Sequence, residues 1–153
     1  MFWIVEKSKS KVVKLQDALY YCSGVKDGDT IVLRTNNGPV NCRLAGVDAP
    51  EMSQRHGNQA YKYVRSLVLH RWVFVESLYI GKYGRLIAHV YVDGVNLAEL
   101  LLKNGHAWVY VRYVPPGIRY IWLEYQEKAR IAKLGLWRYD NARAPWLFRR
   151  LSS

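Results

Sequence analysis

No stretch of this sequence runs for the ~20 consecutive apolar residues that a membrane-spanning helix needs, because charges or turn residues interrupt every hydrophobic run. A membrane protein of that kind is not expected. Cysteine is scarce too: Cys22 and Cys42 stand alone, too few for a disulfide framework. One bridge between strands and two buried free thiols both remain open for them. Internal repeats and low-complexity tracts are missing, which excludes solenoids and disordered tails. The four histidines, His56, His70, His89 and His106, lack the paired spacing of a zinc site. The first seven residues acquire charge too early for a secretory signal, and a signal removed beforehand would leave no trace, so the compartment stays open. Acidic residues are in short supply: twelve Asp and Glu face 23 Lys and Arg, leaving +11 at pH 7. Such a field draws polyanions. Nucleic acid is the leading partner, although basic structural proteins of ribosomal type and membrane-surface binders share that charge balance.

What is present describes a globular chain. Half of its 153 residues are hydrophobic and 23% are charged, enough for a single domain over residues 1–153 with one core. That core is expected at about 19–137, followed by a basic, aromatic tail at 138–153. After a basic lead-in at 7–14, β-branched and aromatic runs predict strands at 19–25, 30–35 and 40–45, separated by the turn chemistry of Asp27-Gly28 and Asn36-Asn37-Gly38. Apolar residues at helical spacing, Ala60, Val64, Leu67 and Val68, predict a first helix. Two more strands are expected at 72–75 and 86–92, the second closed by Asp93-Gly94. Asn96 can cap a short helix at 97–103 that stops at Asn104-Gly105. A longer helix follows Pro115-Pro116-Gly117 and ends before Gly135. The predicted class is β-rich α+β: a five-stranded OB-like Greek-key barrel with about three helices, an architecture that frequently hosts oligonucleotides. The tail has no clear periodicity.

Three short phrases carry chemistry. Val25-Lys26-Asp27-Gly28-Asp29-Thr30 puts two carboxylates around a glycine at a strand-to-strand turn. Such a turn can bind a hard cation, but taken alone it reads first as an ordinary Asp-Gly hairpin with solvated carboxylates. Arg43-Leu44-Ala45-Gly46-Val47-Asp48-Ala49-Pro50-Glu51 gathers a guanidinium and two more carboxylates within nine positions, a composition that a plain strand end does not explain. Lys82-Tyr83-Gly84-Arg85 sets an arginine at the mouth of a strand. Hard oxygen donors suit Ca2+ or Mg2+, and arginine's planar fork, always protonated, suits phosphate.

In this order the three phrases resemble the signatures of the staphylococcal nuclease (thermonuclease) family: an Asp-Gly-Asp-Thr turn, an Arg-Leu-x-x-Val-Asp-x-Pro-Glu segment and a Tyr-Gly-Arg corner. The likeness extends over roughly 25–137, taking in Val92-Asp93-Gly94, Gly105-x-Ala107 and Gly135-Leu136-Trp137. The end segment Ala144-Pro145-Trp146-Leu147-Phe148-Arg149-Arg150 looks like tails of plasmid- and chromosome-borne bacterial members.

The resemblance implies a calcium-dependent, sequence-nonspecific nuclease that hydrolyses phosphodiester bonds in DNA and RNA and leaves 3′-phosphate ends. It implies one Ca2+ held by Asp29, Asp48 and the backbone carbonyl of Ala49, with Asp27 as an outer carboxylate. Glu51 would hold or deprotonate the attacking water, and Arg43 and Arg85 would bind the scissile phosphate. The family's reference member has threonine where Ala49 stands and a longer loop where Met52 to Gly57 runs, and an acidic residue is common in the family where Gly81 stands. Tyr83, Tyr110 and Tyr113 are candidates for stacking on sugar or base, of which Tyr83 and Tyr113 are retained as substrate contacts. The competing reading is a non-catalytic nucleic-acid-binding barrel, but such modules lack several of the five positions Asp29, Arg43, Asp48, Glu51 and Arg85, all present here. A self-contained small barrel is expected to be a monomer. An unspecific nuclease endangers its own cell, which argues for a secreted or periplasmic site of action.

Overall fold

The computed structural model describes residues 15–152; the basic lead-in at 7–14 and the first seven residues lie outside them. Three strands open the fold as a meander: β1 (Ala18–Asp27), β2 (Thr30–Thr35) and β3 (Gly38–Leu44). A two-residue strand β4 (Val47–Asp48) precedes helix α1 (Gly57–Val68), after which β5 (Trp72–Ile80) and β6 (Leu86–Val92) form a second hairpin. β1 pairs antiparallel with both β2 and β5, and β3 closes the ring by pairing parallel with β6. Five strands thus make a closed, OB-like mixed barrel, which leaves the main sheet no open edge between them.

Local chemistry explains the elements. Alternate residues of the barrel strands, among them Cys22, Ile31, Leu33, Cys42, Leu44, Val73, Val75, Leu86, Ala88 and Val90, point inward and are buried. Each large aliphatic one contributes on the order of 1.5–3 kcal/mol by leaving water. The two cysteines are free and buried; they belong to β1 and β3, which flank β2 on opposite sides. Helix α1 seals the barrel with Ala60, Val64 and Val68. A short β7 (Val95–Asn96) leads into α2 (Leu97–Lys103), where the Asn96 side chain accepts a hydrogen bond from the Ala98 N–H at 2.9 Å. Gly105, at φ +75°, ends that segment where the backbone of Leu134 passes so close that a Cβ would stand 2.2 Å from its carbonyl oxygen. Strand β8 (Trp108–Val109) pairs with β4, and α3 (Arg119–Ile131) lays the fully buried Trp122 over the core.

The described residues hold four α-helices, one more than the sequence pattern indicates. The fourth, α4 (Pro145–Ser152), lies in the tail. Its Trp146 packs on Trp108 at 5.9 Å and on Tyr110 at 5.9 Å between ring centroids. No helix among the described residues is long and apolar enough to cross a membrane.

Candidate active site

The β1–β2 turn carries Asp27 and Asp29, and the Asp29 N–H donates to Asp27 Oδ1 at 3.0 Å. Gly28 between them is obligatory in space: a Cβ there would lie 2.8 Å from the Cβ atoms of both Ala49 and Ala60. The turn is therefore pressed against the start of α1 and against the segment after β4. Asp29 is buried, and its Oδ2 accepts the Ala49 N–H at 2.8 Å while Oδ1 accepts from Thr30 Oγ1 at 3.1 Å. This bond ties the first sequence phrase to the second.

β3 supplies Arg43. Its Nη1 donates to the carbonyls of Leu44 and Val47 at 2.7 and 2.6 Å, its Nη2 reaches Asp48 Oδ1 at 3.3 Å, and its Nε lies 3.4 Å from Asp29 Oδ1. The guanidinium is thus fixed between the two aspartates, with an Nη2 hydrogen left over from its five. Gly46, at φ +81°, lets the chain turn from β3 into β4 beneath Trp122, whose ring would be 2.6 Å from a Cβ there. Asp48 is 1% exposed. Its neighbour two residues past Ala49, Glu51, is held by a short loop: the Glu51 N–H donates to Gln54 Oε1 at 3.1 Å and the Gln54 N–H to the Glu51 carbonyl at 2.8 Å.

Arg85 enters from the other side of the barrel mouth, after the 3-10 turn Lys82–Gly84. The parallel pairing of β3 with β6 puts Arg43 opposite Ile87, so the two arginines of distant phrases end up on one wall. Together with Lys82, Arg112 and Arg149 they line a cleft of about 280 Å³. Among the described residues the Arg85 guanidinium has no ion-pair partner. Tyr83 projects into solvent at 94% exposure and is not part of the cleft lining, whereas Tyr110 is. Tyr113 has its backbone in the turn Val111–Tyr113, and its side chain is outside the described residues.

The carboxyls of the site shift one another's titration. Burial and the neighbouring Asp29 charge push the Asp27 carboxyl up to about 7. Asp48 is raised by burial and, further, by Asp29, against the pull of Arg149 and Arg43. Asp29 is held below its ordinary value: burial opposes this, but Arg43 and the hydrogen bonds from Asp27, Ala49 and Thr30 prevail. Three acidic side chains crowd each other here, and all the donors are oxygen, as a hard cation prefers. No group of three His, Cys, Asp or Glu side chains converges on one point among the described residues.

One participant was not singled out from the sequence. Arg149, on α4, donates from Nη2 to Asp48 Oδ2 at 2.8 Å and from Nη1 to Glu51 Oε1 at 2.6 Å and Asp48 Oδ1 at 3.2 Å. The bridge makes Asp48 and Glu51 immediate neighbours. The tail phrase that contains it was visible, but nothing in its spacing gave its destination. Outside the site, His56 Nε2 and His106 Nδ1 meet at 2.9 Å, with the Tyr63 ring stacked on His106 at 4.2 Å.

A family model described as staphylococcal nuclease homologue matches residues 41–139; Arg43, Asp48, Glu51 and Arg85 fall within it, and Asp29 precedes it. A micrococcal nuclease of Shigella flexneri is 34% identical over 137 residues, covering 84% of this chain and 78% of its own length. An uncharacterised endonuclease of Escherichia coli O157:H7 is 35% identical over 126 residues, covering 82% and 80%. A second such endonuclease, of Haemophilus influenzae, is 34% identical over 146 residues, covering 95% and 75%.

Proposed function

This chain belongs to the staphylococcal nuclease family and is a phosphodiester-hydrolysing nuclease; from that premise we propose that it is calcium-dependent and sequence-nonspecific, and that it cuts DNA and RNA to leave 3′-phosphate ends. Asp29, Asp48 and the Ala49 carbonyl hold one Ca2+ on this reading, with Asp27 outside them. The bound ion supplies positive charge for the phosphoryl oxygens as negative charge builds on them.

The remaining work falls to side chains. Arg43, immobilised by the carbonyls of Leu44 and Val47, and Arg85, which has no ion-pair partner among the described residues, grip the non-bridging oxygens of the scissile phosphate. Glu51 takes a proton from the attacking water as the new P–O bond forms and the bond to the 5′ oxygen breaks. Arg85 assists the departing oxygen. These contacts go to phosphate and not to base edges, so weak sequence preference follows. A narrow cleft admits a single strand or a breathing duplex more readily than a closed helix.

The observation that carries the reading is the adjacency of Glu51 and Asp48, both within 2.6–3.2 Å of the Arg149 guanidinium, which lines a cationic cleft with Arg43 and Arg85. The test is digestion of single-stranded DNA with Ca2+, with Mg2+ and with chelator, beside Arg43→Ala and Glu51→Gln. Calcium-dependent cleavage that disappears in both variants supports the assignment. Cleavage indifferent to chelator would remove the calcium part of it, and full turnover in Glu51→Gln would remove the role of Glu51.

A further inference from the structure

The tail phrase Ala144 to Arg150 has no part in the chemistry above, yet it ends inside the site. Ala144 and Pro145 are buried, and Trp146 rests on Trp108 and Tyr110. Trp108 is itself the β8 residue paired with Asp48. α4 is thus fastened to the strand behind one proposed calcium ligand, and three residues past Trp146 it delivers Arg149 to the front of that ligand.

Both oxygens of Asp48 are engaged: Oδ2 accepts from Arg149 at 2.8 Å, and Oδ1 accepts from Arg149 at 3.2 Å and from Arg43 at 3.3 Å. A carboxylate held on both oxygens by a guanidinium fork takes a divalent cation less readily, because the two positive centres repel each other at close range. Glu51 is bonded to the same guanidinium at 2.6 Å, so one of its oxygens is occupied while that bond lasts. Cation binding at Asp48 therefore favours release of Arg149. The arginine is not stranded by this, since its side chain is 45% exposed and it forms part of the cleft wall with Arg43 and Arg85. A guanidinium fork that fits a carboxylate also fits a phosphate.

We infer that Arg149 is a substrate-binding residue of this nuclease, parked on Asp48 and Glu51 until a divalent cation displaces it and then turned to a phosphate of the bound strand. The inference rests on the calcium-nuclease reading, and two measurements on the full chain separate them. First, Ca2+ is titrated calorimetrically into wild type, Arg149→Ala and Arg149→Lys without nucleic acid. Loss of the competing cation is expected to tighten Ca2+ binding by about tenfold in Arg149→Ala. Second, a single-stranded oligothymidylate is bound at saturating Ca2+ by the same set in a Glu51→Gln background, which leaves it uncut. Arg149→Ala is expected to bind about tenfold more weakly, with a salt dependence shallower by about 0.7 in log–log slope, the loss of one phosphate contact on a single strand. Arg149→Lys is expected to restore the slope but not the full affinity.

Ca2+ binding no tighter in Arg149→Ala than in wild type overturns the inference, and so does an unchanged oligonucleotide affinity and slope. Circular dichroism melts of each variant identify any loss through misfolding, and the lysine variant, which keeps the charge, then decides. No Ca2+ uptake by wild type or by Arg149→Ala sinks the calcium reading, and this inference with it.

Discussion

A Cβ placed on Gly57 would stand 1.8 Å from the carbonyl oxygen of Glu51. No rotamer can relieve an overlap with backbone, so the loop from Glu51 to α1 has to move if position 57 carries a side chain. Gly57→Ala is expected to cost about 1–3 kcal/mol of stability, as overpacking does, and to lower turnover at least about tenfold by shifting Glu51. Ca2+ affinity, set on the proposed scheme by Asp29, Asp48 and Ala49, should change less. Urea unfolding beside steady-state kinetics checks this, and undiminished turnover would show that the loop does not govern Glu51.

Arg43 and Arg85 are expected to differ in what they cost. Alanine at position 85 should lower kcat by about 10²–10³, the usual loss of one fixed donor to a transition state. Its effect on stability should stay within about 0.5 kcal/mol, because no partner among the described residues depends on it. Alanine at position 43 should lose activity and also on the order of 3 kcal/mol of stability, since it leaves buried Asp29 without its guanidinium. Equal unfolding midpoints for the two variants would contradict this division.

The His56–His106 pair should make stability depend on pH. Burial first, then the charges of His56 and Arg138, hold the His106 imidazole down at about 4, and burial also lowers His56. In the unfolded chain a histidine titrates near ~6.5. Between those values the unfolded state binds the proton and the folded state does not, so stability is full above about pH 6.5 and falls as the pH drops. Wild type is expected to lose roughly 2 kcal/mol more than His106→Gln between pH 7 and 5. Parallel urea midpoints for the two proteins over that range would refute it.

Cys22 and Cys42 have no exposed surface, and burial pushes the Cys42 thiol up to about 12. Both should resist a thiol-reactive dye in the folded protein and react only on unfolding, with the same melting temperature in the presence and absence of reductant. Rapid labelling of native protein would mean that the barrel opens on that timescale.

Much of this was written in plain sequence. The hairpin turns at Asp27-Gly28 and Asp93-Gly94, the helix at 97–103 and the three acidic and basic phrases depend on local chemistry that adjacent residues reveal. The sequence pattern predicts an end to β5 at residue 75, yet the strand continues to Ile80, because a bulge between Ser77 and Tyr79 breaks the alternation that identifies a strand. α4 has eight residues, too few for a periodic signal, and its fastening comes from Trp108 and Tyr110 far away in the chain. The arrival of Arg149 at Asp48 spans 101 positions and the histidine pair 50. Neither leaves any trace in spacing.

The parallel seam between β3 and β6 also bears on how such a protein can be made safely. Arg43 and Arg85 share a wall only once residues 42–44 have found residues 86–88, a long-range step of the kind that comes slowly in folding. On the proposed scheme, a chain in which this seam has not closed cannot bring the two arginines to one phosphate, so cutting is expected only after ring closure.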